Sequence, residues 1–420
     1  MKHYRNTLSL SLLFYLLLFI FTACHEEDEI VEQEESTVEN KYLIEVTGEK
    51  LMTKAMIVNL IQAEMPSVNL PKELITSLIN DVIWSSVTYR TNGPDGKEMK
   101  ASGIILYPAT TTSLDHFISV QHSTSDMENA PSLMKLCYEG APALLGHTVV
   151  MADYIGYGVS QTADRQHPYL HIGLTGSACV DMNEAAREYF RNKHIDLTDN
   201  TVNLMGYSQG GQATLATLLE MERRGQTDEV GKVDAGGTPT DLVNMWQEFM
   251  NGTISQYGQS GYIPYVIRGM DYGDRLQLDE TRIYAPELIE KGTTKMFSTQ
   301  PLSQWHRVLG KDIRTILHPD VMSPPDWNGN TEVAKLLESL KKNSLVNYPA
   351  PSTPITLYHT PQDESVPYSN VEQLMKQWNN ITLVKLSADA HFKGGIEFYL
   401  RYLGLWKFVK EEDGEIVPAK

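Results

Sequence analysis

Apolar positions along this chain change their period several times, and each change marks an element. From Lys41 to about Asn80 they recur at helical spacing, in KLMTKAMIVNLIQAEM and PKELITSLINDVI, which predicts helices. The period then shortens. VIWSSVTYRT and MKASGIILYPA flank NGPDGKE, whose Asn92-Gly93 and Pro94-Asp95-Gly96 supply turn chemistry, so a β-hairpin is predicted. Short β-branched or apolar runs follow at His116–His122, His147–Tyr154, Thr201–Tyr207, Pro354–His359 and Ile381–Leu386. Helical patterns alternate with them, notably SACVDMNEAAREYFRNK and QGGQATLATLLEMERR. Buried strands alternating with helices predict an α/β fold, a mostly parallel central sheet with helices on both faces. The interval from about Asp241 to Tyr348 breaks this rhythm and reads as an inserted, mainly helical cap, with TEVAKLLESLKKNSL its clearest helix. A separate domain would need flanking linkers, and no linker-like composition is present there.

The first forty residues stand outside the pattern. Lys2 and Arg5 precede an apolar run, Leu8 to Ala23, that is short for a membrane span of about 20 residues. A basic start, an apolar run and small residues before a break mark an export signal over residues 1–23. Thr22-Ala23-Cys24 resembles a bacterial lipobox, with Phe21 where the usual pattern has Leu. That resemblance implies lipidation of Cys24 and a lipid anchor in the outer membrane of a Gram-negative bacterium. A plain signal peptide or an uncleaved anchor is the alternative. Eight acidic residues and no basic one lie between His25 and Asn40, so residues 24–40 read as a solvated tether. The acidic run also resembles the export signal of surface lipoproteins in Bacteroides-like bacteria; a periplasmic spacer is the bland alternative. Residues 41–420 remain for the catalytic domain.

Composition narrows the partners. With 41% hydrophobic and 21% charged residues, the 420-residue chain can bury a sizeable core. Without the leader charges and the acidic tether, 33 basic residues face 45 acidic ones. No basic stripe is available to neutralise phosphates, which argues against nucleic acid. Cys137 and Cys179 either pair as a disulfide or stay as buried thiols, and neither has metal-ligand spacing. No H-E-x-x-H or C-x-x-C occurs, so no metal or organic cofactor is expected.

The chemistry centres on Gly206-Tyr207-Ser208-Gln209-Gly210, a G-x-S-x-G pattern between a strand and a long amphipathic helix. A serine hydroxyl needs an adjacent base to become a nucleophile. Downstream of Ser208, Asp363 lies in the loop after the run ending at His359, with Glu364 as its neighbouring rival. His391, the last histidine of the chain, lies in the loop after the Ile381–Leu386 run. The order Ser208, Asp363, His391 suits a nucleophile, an orienting acid and a base. Gln209 N–H would be one oxyanion donor, and Thr124, in QHSTS after the His116–His122 strand, the second. Asp153 reads as a loop organiser, Asp241 as a helix cap, and His167 and His171 as pocket-lining or structural residues. Tyr257, Tyr262, Tyr265 and Trp305 of the cap would suit an apolar or sugar-bearing substrate, although most aromatics are core.

VVMADYIGYGVSQ, HPYLHIGLTGSACVDMNEAAR, GYSQGGQATLA, GGTPTDL, HTPQDESVPYSN and DAHF resemble the α/β-hydrolase superfamily. More narrowly, they are similar to bacterial secreted esterases related to fungal secretory lipases. The resemblance implies an α/β-hydrolase fold and hydrolysis of a small-molecule, lipid or glycan ester through an acyl-enzyme. Two rivals stand beside it: a serine peptidase of the prolyl-oligopeptidase-like group, and an inactive glycan-binding surface lipoprotein, which would carry a broken triad. Acyl transfer differs from hydrolysis only in keeping water from the acyl-enzyme.

Overall fold

Nine strands form one sheet in the order β1-β2-β3-β5-β4-β6-β7-β8-β9. They are β1 (Leu43–Met52), β2 (Val82–Asn92), β3 (Glu98–Pro108), β4 (Ser113–Gln121), β5 (Val149–Ala152), β6 (Asp196–Tyr207), β7 (Val230–Gly236), β8 (Ile355–His359) and β9 (Ile381–Lys385). The computed structural model describes residues 39–64, 76–134, 137–250, 257–322, 329–406, 409–412 and 415–418. The export signal, Cys24 and the tether up to residue 38 lie outside the described residues. Helices of eight residues or more are α1 (Lys54–Glu64), α2 (Ile172–Asn192), α3 (Gln209–Arg223), α4 (Leu242–Met250), α5 (Tyr262–Asp274), α6 (Leu302–Leu309), α7 (Thr331–Lys342), α8 (Ser369–Gln377) and α9 (His391–Tyr402).

From β5 to β9 the neighbours pair in parallel, while β1, β2 and β3 form an antiparallel flank. The expected hairpin β2–β3 forms, with Thr91 opposite Met99. Alternate residues of each central strand enter two cores. Ile104, Met151 and Met205 face one with α1 and α9; Ile105, Val150 and Leu204 face the other with α2 and α3. This is the sandwich of helices on both sheet faces that continuous apolar strands require. Cys137 belongs to the first core and Cys179 to the second, so the sheet separates them and both are free thiols. That decides the disulfide question left open by spacing.

Two strands depart from the expectation. Residues 43–52, expected within a helical region, form edge strand β1 against β2. Ile44, Val46 and Thr47 are β-branched and four of the ten residues are exposed, so pairing with β2 decides its conformation. Of the two helical stretches expected there, α1 forms; the second is helical at 76–78 and then enters β2, its start lying outside the described residues. β7 was not among the expected strands, because VGKVDAG offers two glycines, a lysine and an aspartate. Burial of Val233 and Ala235 between β6 and β8 supplies what local propensity lacks.

Between β7 and β8 the chain makes the expected helical insertion, α4 to α7, with helices of four or five residues and 3-10 turns among the described residues between them. It docks closely. Tyr262 and Tyr265 of α5 lie against Tyr169, and a methyl at Gly269 would fall 2.6 Å from the Tyr169 backbone nitrogen. Asp126 accepts from the backbone and hydroxyl of Ser303, and Ser365 donates to Gln259 at 2.6 Å. Gly269→Ala is therefore expected to destabilise the protein by about 1–3 kcal/mol through overpacking, read as a lower Tm. An unchanged Tm would contradict this docking.

Candidate active site

β4 lies between β5 and β6, so the connections leaving β4 and β5 run in opposite directions across the sheet. Open α/β sheets bind ligands at the carboxyl ends of strands at such a switch point. Gln121, the last residue of β4, is in register with Gly206 near the end of β6. The turn after β6 carries Ser208 with φ 62° and ψ −121°, a strained conformation for a non-glycine residue. It persists because its surroundings over-determine it. Ser208 N–H donates to Gly236 O at 2.8 Å, and α3 begins at the next residue. The flanking glycines are forced by close approach: a methyl at Gly210 would lie 2.0 Å from Gln121 O, and one at Gly206 2.3 Å from Gly210 O.

Two further loops converge on this turn. His391 opens α9, and its Nε2 is 2.8 Å from Ser208 Oγ. Its Nδ1 is 2.6 Å from Asp363 Oδ2, in the loop after β8. The network assigns the proton to Nδ1, which leaves Nε2 as the acceptor of the serine proton. Asp363 is fixed in turn, since its Oδ1 accepts from the Ser365 and Val366 N–H groups at 2.9 and 2.7 Å. His359, also near this carboxyl, donates to Val366 O at 2.9 Å, and burial lowers its pKa. Glu364 does not compete for the imidazole. It accepts from the His391 backbone N–H at 2.8 Å, where a carboxylate also complements the start of α9.

Gln209 is the first residue of α3, so its N–H is among those that a helix leaves without an internal acceptor. Its side-chain amide is held by His167 Nε2 at 2.8 Å, while His167 Nδ1 faces Ile155 O at 2.6 Å. Burial lowers the His167 pKa to about 3, which keeps it neutral in this bridge. In the loop after β4, Ser123 N–H is taken by Glu139 at 3.2 Å. Thr124 is next in line, with its hydroxyl 2.9 Å from Tyr169 OH.

Glu139 had no signal in the sequence. It is buried, and burial raises its carboxyl pKa to about 7. Because the unfolded chain ionises it near 4.5, the Glu139 contribution to stability is most favourable at low pH and is lost as pH rises from about 4.5 to 7. Glu139→Gln should remove that penalty and make stability at pH 8, relative to pH 5, about 2 kcal/mol more favourable than in the wild type. Urea unfolding at the two pH values measures it, and an unchanged difference would contradict the assignment.

The other conspicuous residues are structural. Asp153, buried, accepts from Ser102 at 2.6 Å and from Ser132 N–H at 2.8 Å, tying its loop to β3. Asp241 accepts from Asn244 N–H at the start of α4, and His171 caps α2. Trp305 donates to Gln300 O and Tyr265 packs against it. Tyr257 and Tyr262 do line a cleft that opens on Ser208. It holds about 700 Å³ of empty space, part of it open to solvent, and its walls include Trp246, Phe249, Met250 and Ile263. Among the described residues, no cluster of three or more His, Cys, Asp or Glu side chains could hold a metal ion.

Strand order and the switch-point turn place the chain among the α/β-hydrolases. Over residues 138–394, more than half its length, it matches the family model for secretory lipases. The chain belongs to that family of carboxylic ester hydrolases. No curated protein sequence matches it. Among solved structures it is similar to a Legionella pneumophila protein designated a hydrolase, at 21% identity and a TM-score of 0.70, covering 87% of this chain and 98% of that one. The rice cell wall degrading esterase LipA from Xanthomonas oryzae gives 21% identity and 0.62, covering 86% and 96%. Candida antarctica lipase A gives 16% and 0.57, covering 82% and 77%. At these identities the structural likeness supports the fold.

Proposed function

We propose that the protein is a serine esterase that works through an acyl-enzyme, with Ser208 as nucleophile, His391 as general base and Asp363 as orienting acid. The observation that carries this is the hydrogen-bonded chain Ser208–His391–Asp363, with links of 2.8 and 2.6 Å. Ser208 Oγ attacks the ester carbonyl as His391 Nε2 takes its proton. His391 then gives that proton to the leaving alcohol, and afterwards activates water to release the acid. Asp363 holds the imidazole tautomer and stabilises the imidazolium. The N–H groups of Gln209 and Thr124 receive the developing oxyanion, each such donor being worth about 3 kcal/mol of barrier.

The apolar cleft suits the acyl part of the substrate, because burying each methylene contributes about 0.8 kcal/mol. A panel of p-nitrophenyl esters of rising acyl length, run beside aminoacyl-anilides, tests the reading. Rising kcat/KM with acyl length until the cleft is full, and inert anilides, are expected. Cleavage of anilides with inert esters would restore the peptidase reading. An intact triad speaks against the inactive glycan binder.

Membership of a secretory family fits the export signal at residues 1–23, and Cys24 is proposed as the lipidated anchor. No helix among the described residues is long and apolar enough to cross a membrane. Metabolic labelling with an alkynyl fatty acid tests the anchor: label on the wild type and none on Cys24→Ser is the expected result.

A further inference from the structure

Tyr207 fills a wild-card position of the G-x-S-x-G turn, yet its phenol and its backbone carbonyl reach two of the loops that meet at Ser208. We infer that Tyr207 is a positioning residue that ties the base loop and the oxyanion loop to the nucleophile. The inference rests on the proposed triad.

Three contacts carry it. The buried phenol donates to the backbone carbonyl of His391 at 2.8 Å. Its own carbonyl accepts from Ser123 Oγ at 3.2 Å, and Ser123 Oγ is held from the other side by Tyr138 OH at 2.8 Å. The chain then passes directly into Ser208. One residue therefore links the end of β6, the start of α9 and the loop after β4.

Its ring lies where four glycines leave room. A methyl at Gly236 would sit 2.5 Å from the ring, one at Gly237 2.6 Å, one at Gly394 2.4 Å from the phenol oxygen and one at Gly395 3.1 Å. Gly236 ends β7 and Gly237 follows it, whereas Gly394 and Gly395 lie in the first two turns of α9, so the ring is gripped from two sides. Burial raises the phenol pKa well above its usual range, which keeps it a donor at every working pH.

With Glu364 on its N–H and Tyr207 on its carbonyl, His391 has both backbone groups fixed as well as both ring nitrogens. Glu364 is exposed, so the buried phenol is the stiffer of the two holds. Holding a base to within a fraction of an ångström matters, since a misplacement of about 1 Å costs on the order of 100-fold in rate.

Tyr207→Phe keeps the ring and removes only the donor, and kcat, KM, Tm and the rate of Ser208 labelling by a fluorophosphonate are measured on it. The expected result is a kcat at least about tenfold lower, a KM within about twofold and labelling slowed in proportion, in a folded protein. Should that variant fail to fold, Gly394→Ala pushes the phenol away from His391 and is expected to give the same split. A folded variant with wild-type kcat and labelling rate would overturn the inference. So would a lower Tm with kcat per folded molecule unchanged, the mark of a merely structural role. Failure of the triad itself reads differently, as a wild type in which the probe does not label Ser208.

Discussion

Ser208→Ala is expected to lower kcat by about 10⁶-fold while the protein stays folded and keeps its substrate cleft. The change removes one oxygen. The strained backbone, the Ser208 N–H bond to Gly236 O and the start of α3 do not depend on it. What is lost is the atom 2.8 Å from His391 Nε2; the hydroxyl of Ser365, which also lines the cleft, donates to Gln259 instead of to a base. Residual hydrolysis of about 10³–10⁴ over water would remain from the oxyanion donors and binding. A p-nitrophenyl ester assay with matched circular dichroism spectra checks it.

Asp363→Asn has the second largest expected effect, about 10⁴-fold in kcat with KM little changed. An asparagine oxygen can still accept from the Ser365 and Val366 N–H groups, so the loop keeps its shape. Its amide then faces His391 Nδ1 as a donor, which forces the proton onto Nε2 and leaves no base toward Ser208. Glu364 cannot rescue the variant, being engaged with the His391 backbone 2.8 Å away. The neighbouring change Glu364→Gln is expected to cost far less, because an exposed amide oxygen can still accept that N–H. Parallel kinetics on both variants separate the two acids; equal losses would contradict the roles given to them.

Much of this site could be read along the chain, for physical reasons that differ from residue to residue. Gly206 and Gly210 are demanded by backbone approaches of 2.3 and 2.0 Å, and such demands leave a mark in sequence. The loops carrying Asp363 and His391 follow short β-branched strands, and strand–loop–helix order is local information. Likewise the β2–β3 hairpin announces itself through its turn residues. What stayed hidden depends on tertiary context. β1 and β7 are strands because of the neighbours they pair with, and VGKVDAG has little preference of its own. Glu139, whose carboxyl holds Ser123 N–H, sits among ordinary residues and gains its role only on burial. Tyr207 occupies a wild-card position, and its partner carbonyl lies 184 residues away. The separation of Cys137 from Cys179 follows from the sheet between them, which spacing does not encode.

The central claim is that Ser208 carries the acyl group between the two halves of the reaction. Acid-quenching a p-nitrophenyl ester reaction within milliseconds and mapping peptide masses tests it most directly. The account predicts one acyl group per chain, on the peptide that carries Ser208, and no adduct in Ser208→Ala. An acyl group on a different residue, or wild-type ester turnover by Ser208→Ala, would contradict it.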